Sequence, residues 1–567
     1  MGNYDIAKKE ADLIDKNIIE VLQSGQSFRV EAGAGSGKTY SLNKVVDWLQ
    51  NNVEQKLLQR KQKIACITYT NTAVNVIASR LHPNSSIIPS TIHSFAWDSI
   101  EQFQDAMCEF VEELKIIPEG CSPCDIKKVS YSLGTRYFED GTLFLYHDDV
   151  IKLFVRFLDS KKFRRIFSFN YPIILIDEYQ DSFKVLTDQF IKWFIEPQEG
   201  PQFGFFGDSW QTVYSSNGAC GLLEHPNIIE IKKNANFRSQ KIIVDALNRM
   251  RPELPQISAS DDSDGQIIVI TTNEYAYPRQ TGYYKGELQA VHLNSYIEKV
   301  REKLKMSYNW GESSKTLMIT HKMLANQQQY GTLLETLDDA LKDEEDDFVL
   351  FFKDTVEPLY SALENNNITE LYDVLKNDRK PIIKKSQKKQ WVELRKKLNE
   401  SREKKIGDVI SLCIEYSSII PIPPKVSATY NIFLKDPDSP YGTQTIKTFF
   451  NINYSEVIHA INFFAPNSEF STDHGVKGEE YNDVLFVVGR GWNNYKFDEI
   501  LYKDESILTG KDLLSYIRNR NLFYVCCSRP KRNLVLFITV SINQEFEQYL
   551  KEIFGEDTLI EYSDFIK

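Results

Sequence analysis

The segment EAGAGSGKT occupies Glu31–Thr39, at the end of an apolar, strand-like run, SFRVEA (27–32). It fits the phosphate-loop pattern, with Ala32 at the first position and Gly37-Lys38-Thr39 at the last three. Small residues let backbone N–H groups curl round phosphates, Lys38 neutralises charge, and Thr39 offers a hydroxyl to Mg²⁺. A helix predicted over 38–50 would point its positive end at the phosphates. We therefore expect nucleotide contacts from Ala32, Gly33, Ala34, Gly35, Ser36, Gly37, Lys38 and Thr39.

A second motif, which is acidic, could act together with this loop. The apolar run IILI (173–176) leads directly into Asp177-Glu178-Tyr-Gln-Asp181. An apolar strand that ends in adjacent carboxylates can place Asp177 at a metal ion and Glu178 beside an attacking water. An acidic turn after a strand is the alternative for DE alone, but it does not account for EAGAGSGKT in the same chain.

Apolar, β-rich runs recur along the chain and predict the fold class. The first set is SFRVEA (27–32), IACITYT (64–70), YPIILIDE (171–178), FGFFGD (203–208) and IIEIKK (228–233). The second set is TLMIT (316–320), DVLFVV (483–488) and NLVLFI (533–538), the last preceded by a helix-like stretch, LLSYIRNRNLFYVCCS. Continuous apolar runs alternating with helical segments indicate parallel sheets covered on both faces. The expected fold class is α/β with two parallel-sheet domains. Residues 97–165, without parallel-strand runs, and 330–465 have a different character and are read as insertions.

Composition limits the class of protein. The chain has 567 residues, of which 42% are hydrophobic and 26% charged, as in ordinary globular proteins. No apolar run approaches the roughly 20 residues that a membrane helix needs, and MGNYDIAKKEADLIDKNI has no apolar signal region. We expect a cytoplasmic protein without a membrane partner.

The charge of the chain leaves open whether it binds nucleic acid through a local basic segment. The net charge of −12 argues against a nucleic-acid binder, but binding depends on local basic surface. The segment 384–405 carries ten Lys and Arg residues against three Glu. It could lie along phosphates, or it could form a solvated helix with many ion pairs.

The acidic motif, DEYQDS, resembles the DExQD signature of superfamily 1 DNA helicases of the UvrD/Rep/PcrA type. The other signatures of that family occur in family order across nearly the whole chain. They are AGAGSGKT (32–39), ITYTNTAVNVIASRL (67–81), STIHSF (90–95), DEYQDS (177–182), GDSWQTVY (207–214), NANFRS (234–239), TDHGVKGEEY (472–481) and YVCCSR (524–529). The ordered set carries the resemblance. A P-loop kinase or small-molecule ATPase would leave seven of these blocks unexplained.

The resemblance implies two RecA-like motor domains, with ATP bound between them and Mg²⁺ at Thr39 and Asp177. The implied first motor domain comprises 1–96 and 166–235, interrupted by an accessory insertion at 97–165. The second comprises 236–329 and 466–567, interrupted by an accessory insertion at 330–465.

Roles for individual residues follow from the matched blocks. Gln211 would report the γ-phosphate to the DNA-binding surface, and Arg238 and Arg529 would act as arginine fingers beside the catalytic Glu178. Glu480 would hold the ribose, and Phe237 and Tyr40 would lie against the base. The implied DNA contacts are Tyr69, Asn71, Thr91, His93, Tyr214, His474 and Lys477. Tyr69, like Phe95, could instead be a core aromatic, and His93 a buried histidine.

Three departures from the family pattern bear on substrate binding. The upstream adenine-reading glutamine has no good match, since only Gln23 and Gln26 are present and they lie close to the loop. Tyr40 stands where relatives place Arg. The family's YxWRGA stretch reads YSSNGA (214–219) here, so a Trp and an Arg are replaced by Ser216 and Asn217. Losing one stacking platform could cost roughly 1–3 kcal/mol of strand binding, and compensation by Trp210 is only a guess.

The resemblance implies an ATP-dependent 3′→5′ DNA helicase that tracks single-stranded DNA and unwinds partial duplexes. No nuclease-like block follows the last motif, and the tail after NLVLFITV is expected to be one helical segment, INQEFEQYLKEIFGE. The compact chain is similar to UvrD-like proteins that accompany nucleases in Gabija-type anti-phage systems. The alternative function is therefore a DNA- or nucleotide-sensing ATPase subunit that switches a partner nuclease and unwinds little by itself.

Overall fold

The fold is described from a computed structural model. The described residues are 2–118, 121–131, 136–212, 218–260, 264–311, 313–318, 325, 328–337, 341, 346–375, 385–435, 444–464, 470–472, 479–490 and 495–567. The predicted α/β class is confirmed, since helices surround two six-stranded sheets.

The first sheet is built from parallel strands. They are β1 (Ser27–Ala32), β2 (Ile64–Thr68), β3 (Ile87–Thr91), β7 (Ile173–Asp177), β8 (Gln202–Gly207) and β9 (Ile228–Lys233), and their order is β3-β2-β7-β8-β1-β9. Five of these strands fall on runs that the sequence predicted. The edge strand β3 was not predicted, because IIPST contains Pro89, and a proline is tolerated only where one side of a strand lacks a partner.

Between the two large sheets in chain order, β10 (Ala235–Asn236) pairs in parallel with β11 (Ile257–Ser258). The second large sheet is also parallel. Its strands are β12 (Gln266–Thr271), β13 (Ser314–Met318), β14 (Phe470–Thr472), β15 (Tyr481–Val488), β16 (Pro530–Ile538) and β17 (Leu559–Glu561), in the order β14-β13-β15-β16-β12-β17. The expectation of one helical segment after NLVLFITV is wrong, because β17 pairs with β12 beyond the helix Gln544–Phe554. A strand of three residues is too short for a period-2 pattern to reveal it in the sequence.

Helices cover both faces of the two sheets. In chain order the α-helices of the described residues are α1 (Asn3–Ser24), α2 (Lys38–Asn52), α3 (Glu54–Gln59), α4 (Asn71–Ala78), α5 (Ile92–Ile100), α6 (Gln104–Glu113), α7 (His147–Leu158), α8 (Lys161–Asn170), α9 (Lys184–Phe190), α10 (Lys241–Met250), α11 (Ala290–Ser307), α12 (Gly331–Leu337), α13 (Asp347–Phe351), α14 (Glu357–Glu364), α15 (Ile368–Val374), α16 (Lys385–Ser401), α17 (Ile406–Glu415), α18 (Pro424–Lys435), α19 (Gln444–Phe450), α20 (Tyr454–Phe464), α21 (Phe497–Ile500), α22 (Gly510–Cys527), α23 (Gln544–Phe554) and α24 (Tyr562–Ile566). The helix predicted over 38–50 corresponds to α2.

Residues 97–165 contain a small sheet that corrects one expectation. Its strands are β4 (Lys128–Tyr131), β5 (Tyr137–Glu139) and β6 (Thr142–Leu145), and β4 pairs with β6 in parallel, although no parallel-strand runs were expected there. The pattern was missed because these strands have only three or four residues each. Apolar side chains of this segment, among them Phe154 and Leu143, share one core cluster with Ile174 and Phe203 of the first sheet.

In residues 330–465 the regular structure of the described residues is helical. Their buried side chains, including Phe352 and Val409, form one continuous cluster with Leu485 and Phe537 of the second sheet. The basic segment lies mainly in α16, which buries Leu394 and Leu398 on its apolar face.

The cations of α16 and of the turn after it have acidic neighbours. Arg395 pairs with Glu364 at 2.9 Å, and Arg402 pairs with Glu357 at 2.7 Å. Lys397 lies 2.7 Å from Glu415. For these residues the structure favours the helix laced with ion pairs over a phosphate-binding surface.

All strands of the two large sheets lie in the segments predicted for the motor domains, namely 1–96, 166–235, 236–329 and 466–567. The six domain boundaries themselves stay a prediction. Among the helices that the structure describes, none combines the length and apolarity needed to cross a membrane.

Candidate nucleotide site

Three neighbouring strands bring the predicted ATP-site motifs to one edge of the first sheet. Strands β7, β8 and β1 are adjacent and parallel, so their carboxyl ends meet at that edge. Ala32 ends β1, Asp177 ends β7 and Gly207 ends β8. Ligands of open α/β sheets bind outside the carboxyl ends of the strands.

The loop after β1 has the backbone form of a phosphate cradle. Gly35 and Gly37 have φ angles of 74° and 75°, a region that favours glycine. A Cβ atom on Gly35 would meet the Asn236 Oδ1 and Arg238 Cβ atoms at 2.8 Å, so only glycine fits there. The buried Ser36 hydroxyl has no hydrogen-bond partner among the described residues. An unpaired hydroxyl in a glycine-rich turn before α2 fits a bound phosphate.

Residues that follow the first sheet in the chain make hydrogen bonds to this loop. The side-chain amides of Asn236 and Gln256 each donate to the Ala34 carbonyl oxygen at 2.9 Å. The Phe237 backbone N–H donates to the Gly35 carbonyl at 2.9 Å. The Ala34 backbone N–H donates to the Tyr524 hydroxyl of α22 at 3.3 Å. The loop therefore lies in a closed cleft between the two sheets.

The first two carboxylates of DEYQD face the phosphate-loop lysine. The Lys38 Nζ atom lies 2.5 Å from the Glu178 Oε2 atom and 3.9 Å from the Asp177 Oδ1 atom. Burial opposes the charge on Lys38, but attraction to Glu178 and then to Asp177 outweighs it, so the pKa of Lys38 is raised. Glu178 has a φ of 50°, a conformation that costs a non-glycine residue on the order of 1–3 kcal/mol and clusters at active sites.

Oxygen donors of the kind that Mg²⁺ prefers are present at this edge. Asp177 supplies a carboxylate and Thr39, at the start of α2, a hydroxyl. Mg²⁺ is usually bound by one or two carboxylates together with substrate phosphates and water. This donor set therefore fits Mg²⁺ that enters with a nucleotide.

Both predicted arginine fingers lie at the cleft. The Arg529 Nη2 atom donates to the Gln211 Oε1 atom at 3.0 Å. Burial, reinforced by repulsion from Arg238, lowers the pKa of Arg529 to about 10. Arg238 donates to the Ser528 carbonyl at 3.0 Å and pairs with Glu480 at 3.1 Å. The two cations and Gln211 are thus brought together from three separate motifs.

The two aromatic side chains that are expected to lie against the nucleotide base are exposed. Phe237 and Tyr40 are 43% and 61% exposed. Tyr4, at the start of α1, meets the Phe237 ring edge-on with centroids 6.3 Å apart, which sequence reasoning missed. Glu480, predicted to hold a ribose, pairs with Arg238 and lies 2.6 Å from Lys531.

Only some of the predicted DNA-contacting residues lie close together, at the carboxyl ends of β2 and β3. Tyr69 is 49% exposed and, like Asn71, follows the carboxyl end of β2; Thr91 ends the neighbouring strand β3. His93 packs against His147, with ring centroids 4.8 Å apart, and burial then His147 lower its pKa to about 4. Phe95 is buried in the core.

Some expectations fall outside the part of the chain that the structure describes. They concern Tyr214, His474 and Lys477, together with Ser216 and Asn217. Trp210, considered as a replacement stacking platform, carries the Arg520 guanidinium 4.0 Å from its ring centroid. Gln26 precedes β1, at the end of that strand opposite to the phosphate loop.

Sequence reasoning missed a group of buried charges behind the loop. Glu31, one residue before Ala32, pairs with Arg251 at 2.7 Å, and Arg251 also pairs with Asp208 at 2.6 Å. The signal was the pair of charged residues, Arg29 and Glu31, inside an otherwise apolar strand, because buried charges are rare unless paired.

Comparison with known proteins agrees with the geometry. Residues 15–217 match a family model described as an AAA domain. The chain is similar to the Gabija protein GajB of Bacillus cereus (strain HuB5-5), with 23% identity over an alignment that covers 97% of this chain and 98% of that protein. The resemblance to UvrD-like proteins is thus confirmed: residues 15–217 match an AAA-domain family model, and the chain is similar along nearly its whole length to the Gabija protein GajB.

Proposed function

We propose that this protein is an ATP-hydrolysing motor that moves 3′→5′ along single-stranded DNA and separates duplexes, in the service of anti-phage defence. The observation that carries the proposal is the placement of Lys38, Glu178, Gln211 and Arg529 in one cleft between two parallel sheets. The likeness to a Gabija protein supports the defence context.

Each side chain has a part in hydrolysis. Lys38 exchanges its contact with Glu178 for the phosphates of ATP, which leaves the Glu178 carboxylate to accept a proton from water. Arg238 and Arg529 stabilise the negative charge that develops on the transferred phosphoryl group. Mg²⁺, held by Asp177 and Thr39, would neutralise phosphate charge. Gln211, which is hydrogen-bonded to Arg529, senses whether the γ-phosphate is present.

The test is ATP hydrolysis by the purified protein with and without single-stranded DNA. We expect DNA to raise kcat by at least about tenfold, because a strand that favours closure of the two sheets assembles the catalytic groups. Hydrolysis that DNA does not change would contradict a translocase.

The alternative is an ATPase subunit that senses DNA or nucleotide and switches a nuclease partner, with little unwinding of its own. The missing Trp and Arg of YSSNGA favour it, since both would grip the strand. Strand displacement on duplexes with a 3′ or a 5′ tail decides between the two functions. Unwinding confined to the 3′-tailed duplex supports the helicase, and DNA-stimulated hydrolysis without unwinding supports the switch.

Replacing Tyr69 by Ala is expected to weaken binding of single-stranded DNA by about 1–3 kcal/mol, because the half-exposed ring offers a base-stacking face. Fluorescence anisotropy of a labelled oligonucleotide measures the change. The matched control is Phe169→Ala, which removes an exposed ring just before β7, at the opposite edge of the same sheet. Equal affinity of the Tyr69 variant and the unaltered protein would remove Tyr69 from the strand path.

A further inference from the structure

Three buried charges join the two sheets behind the phosphate loop. Glu31 lies on β1 and Asp208 follows β8, whereas Arg251 follows α10, which packs against β12 and β16 of the second sheet. The Arg251 Nη2 atom is 2.7 Å from the Glu31 Oε1 atom, and its Nη1 atom is 2.6 Å from the Asp208 Oδ1 atom. Arg251 and Glu31 are 3% exposed and Asp208 is fully buried.

The Glu31 carboxylate also joins two segments of the nucleotide site to the strand that precedes the phosphate loop. Tyr179, the neighbour of Glu178, donates its hydroxyl to the Glu31 Oε2 atom at 2.7 Å. The Ser209 backbone N–H and hydroxyl donate to the Oε1 atom at 2.8 and 2.6 Å. A shift of Glu31 would therefore move the segments DEYQD and GDSWQ together.

The second carboxylate leads to the catalytic arginine. While the Asp208 Oδ1 atom accepts from Arg251, its Oδ2 atom accepts from the Gln211 Nε2 atom at 2.7 Å. The Gln211 Oε1 atom accepts in turn from Arg529 at 3.0 Å. Arg251 thereby fixes the carboxylate that orients Gln211, and Gln211 orients the arginine finger.

Because the charges of Arg251, Glu31 and Asp208 are buried, their contact depends on how far apart the two sheets lie. Burial disfavours the charge on Glu31, but Arg251 and the hydrogen bonds from Ser209 and Tyr179 outweigh it and lower the pKa of Glu31. Burial likewise disfavours the charge on Arg251, whereas attraction to Asp208 raises its pKa. Moving Arg251 away with the second sheet would take from Asp208 and Glu31 the cation that contacts both, leaving Glu31 with the weaker contact to Arg29 at 3.7 Å. Proteins tolerate poorly the loss of one partner from a buried ion pair.

We propose that Arg251 is a positioning residue that locks Gln211 and Arg529 into their catalytic geometry only when the two sheets are closed. Arg251 contacts Glu31 and Asp208, and it acts on the reaction through Asp208. The inference rests on the proposed ATPase function and adds to it the group that couples closure of the cleft to assembly of the finger.

A double-mutant cycle on kcat for ATP hydrolysis, measured by steady-state phosphate release, tests the proposal. Arg251→Gln is expected to lower kcat about tenfold with little change in the affinity for ATP, in the range found for residues that couple two sites. In a Gln211→Ala background the same change should have almost no further effect, because the path through Gln211 is already broken. Arg251→Lys keeps the buried charge but not the two-pronged contact, so it should recover part of the activity and secures the test if Arg251→Gln does not fold.

The matched control is Arg249→Gln, two residues earlier in the last turn of α10. Arg249 donates to the Ile553 carbonyl at 2.6 Å, a contact within the second sheet's own layer, so its loss should affect thermal stability and leave kcat unchanged. Losses that multiply in the cycle would show that Arg251 acts independently of Gln211 and would overturn the inference, as would normal kcat in Arg251→Gln. Absence of hydrolysis in the unaltered protein would overturn both proposals, whereas normal hydrolysis by Arg251→Gln would overturn this one alone.

Discussion

Replacing Glu178 by Gln is expected to lower kcat for ATP hydrolysis by about 10²–10⁴-fold, the usual contribution of a general base. The amide has the shape of the carboxylate but cannot take the proton from water. Nucleotide binding should persist or tighten, because Lys38 no longer has an anionic partner 2.5 Å away that competes with the phosphates. Steady-state phosphate release measures kcat, and titration with a fluorescent ATP analogue measures affinity.

The control for this variant is Glu199→Gln, which removes an exposed carboxylate from the turn before β8. It should hydrolyse ATP at the normal rate. Full activity in the Glu178 variant would remove that residue from the catalytic role and, with it, the assignment of DEYQD as the hydrolytic motif.

Replacing Lys38 by Ala is expected to weaken ATP binding by about 10²–10³-fold, as for the loss of one partner of a buried charge pair. Two effects combine. The phosphates lose their cation, and Asp177 and Glu178 are left facing the incoming anion without the ammonium group that lies beside them. Equilibrium binding of the same fluorescent analogue gives the change in Kd.

Lys16→Ala is the matched control, since the side chain of this lysine is 74% exposed on α1 and pairs across one turn with Glu20. Its Kd should equal that of the unaltered protein. Retention of tight binding by the Lys38 variant would contradict a phosphate-binding role for the loop.

The strands and the phosphate loop could be predicted because their signals are local. SFRVEA and IIEIKK are continuous apolar-rich runs, and the structure has β1 and β9 at the same bounds. EAGAGSGKT and DEYQDS likewise concentrate their chemistry within a few residues. The short strand Leu559–Glu561 could not be found this way, because three residues leave little local pattern and its partner strand β12 lies 290 positions away in the chain.

The interdomain contacts escaped prediction for a related reason. Glu31 and Arg251 are 220 positions apart, so no spacing rule joins them. The partner of a buried charge is set by the packing of whole sheets, which a sequence read alone does not supply. The residues Glu31 and Arg29 were visible as misfits in an apolar strand, but what they paired with was not.

The contacts within each half of the molecule differ in polarity from many of those across the cleft. The segment 97–165 is joined to the first sheet, and the segment 330–465 to the second, by continuous apolar cores. Cores of this kind are close-packed and resist sliding. Many of the contacts across the cleft, at Ala34, Glu31 and Gln211, are hydrogen bonds and ion pairs, which can be exchanged for water. We therefore expect the segments 97–165 and 330–465 each to move with its own sheet, so that a small rotation at the cleft would become a larger displacement at the far end of each segment.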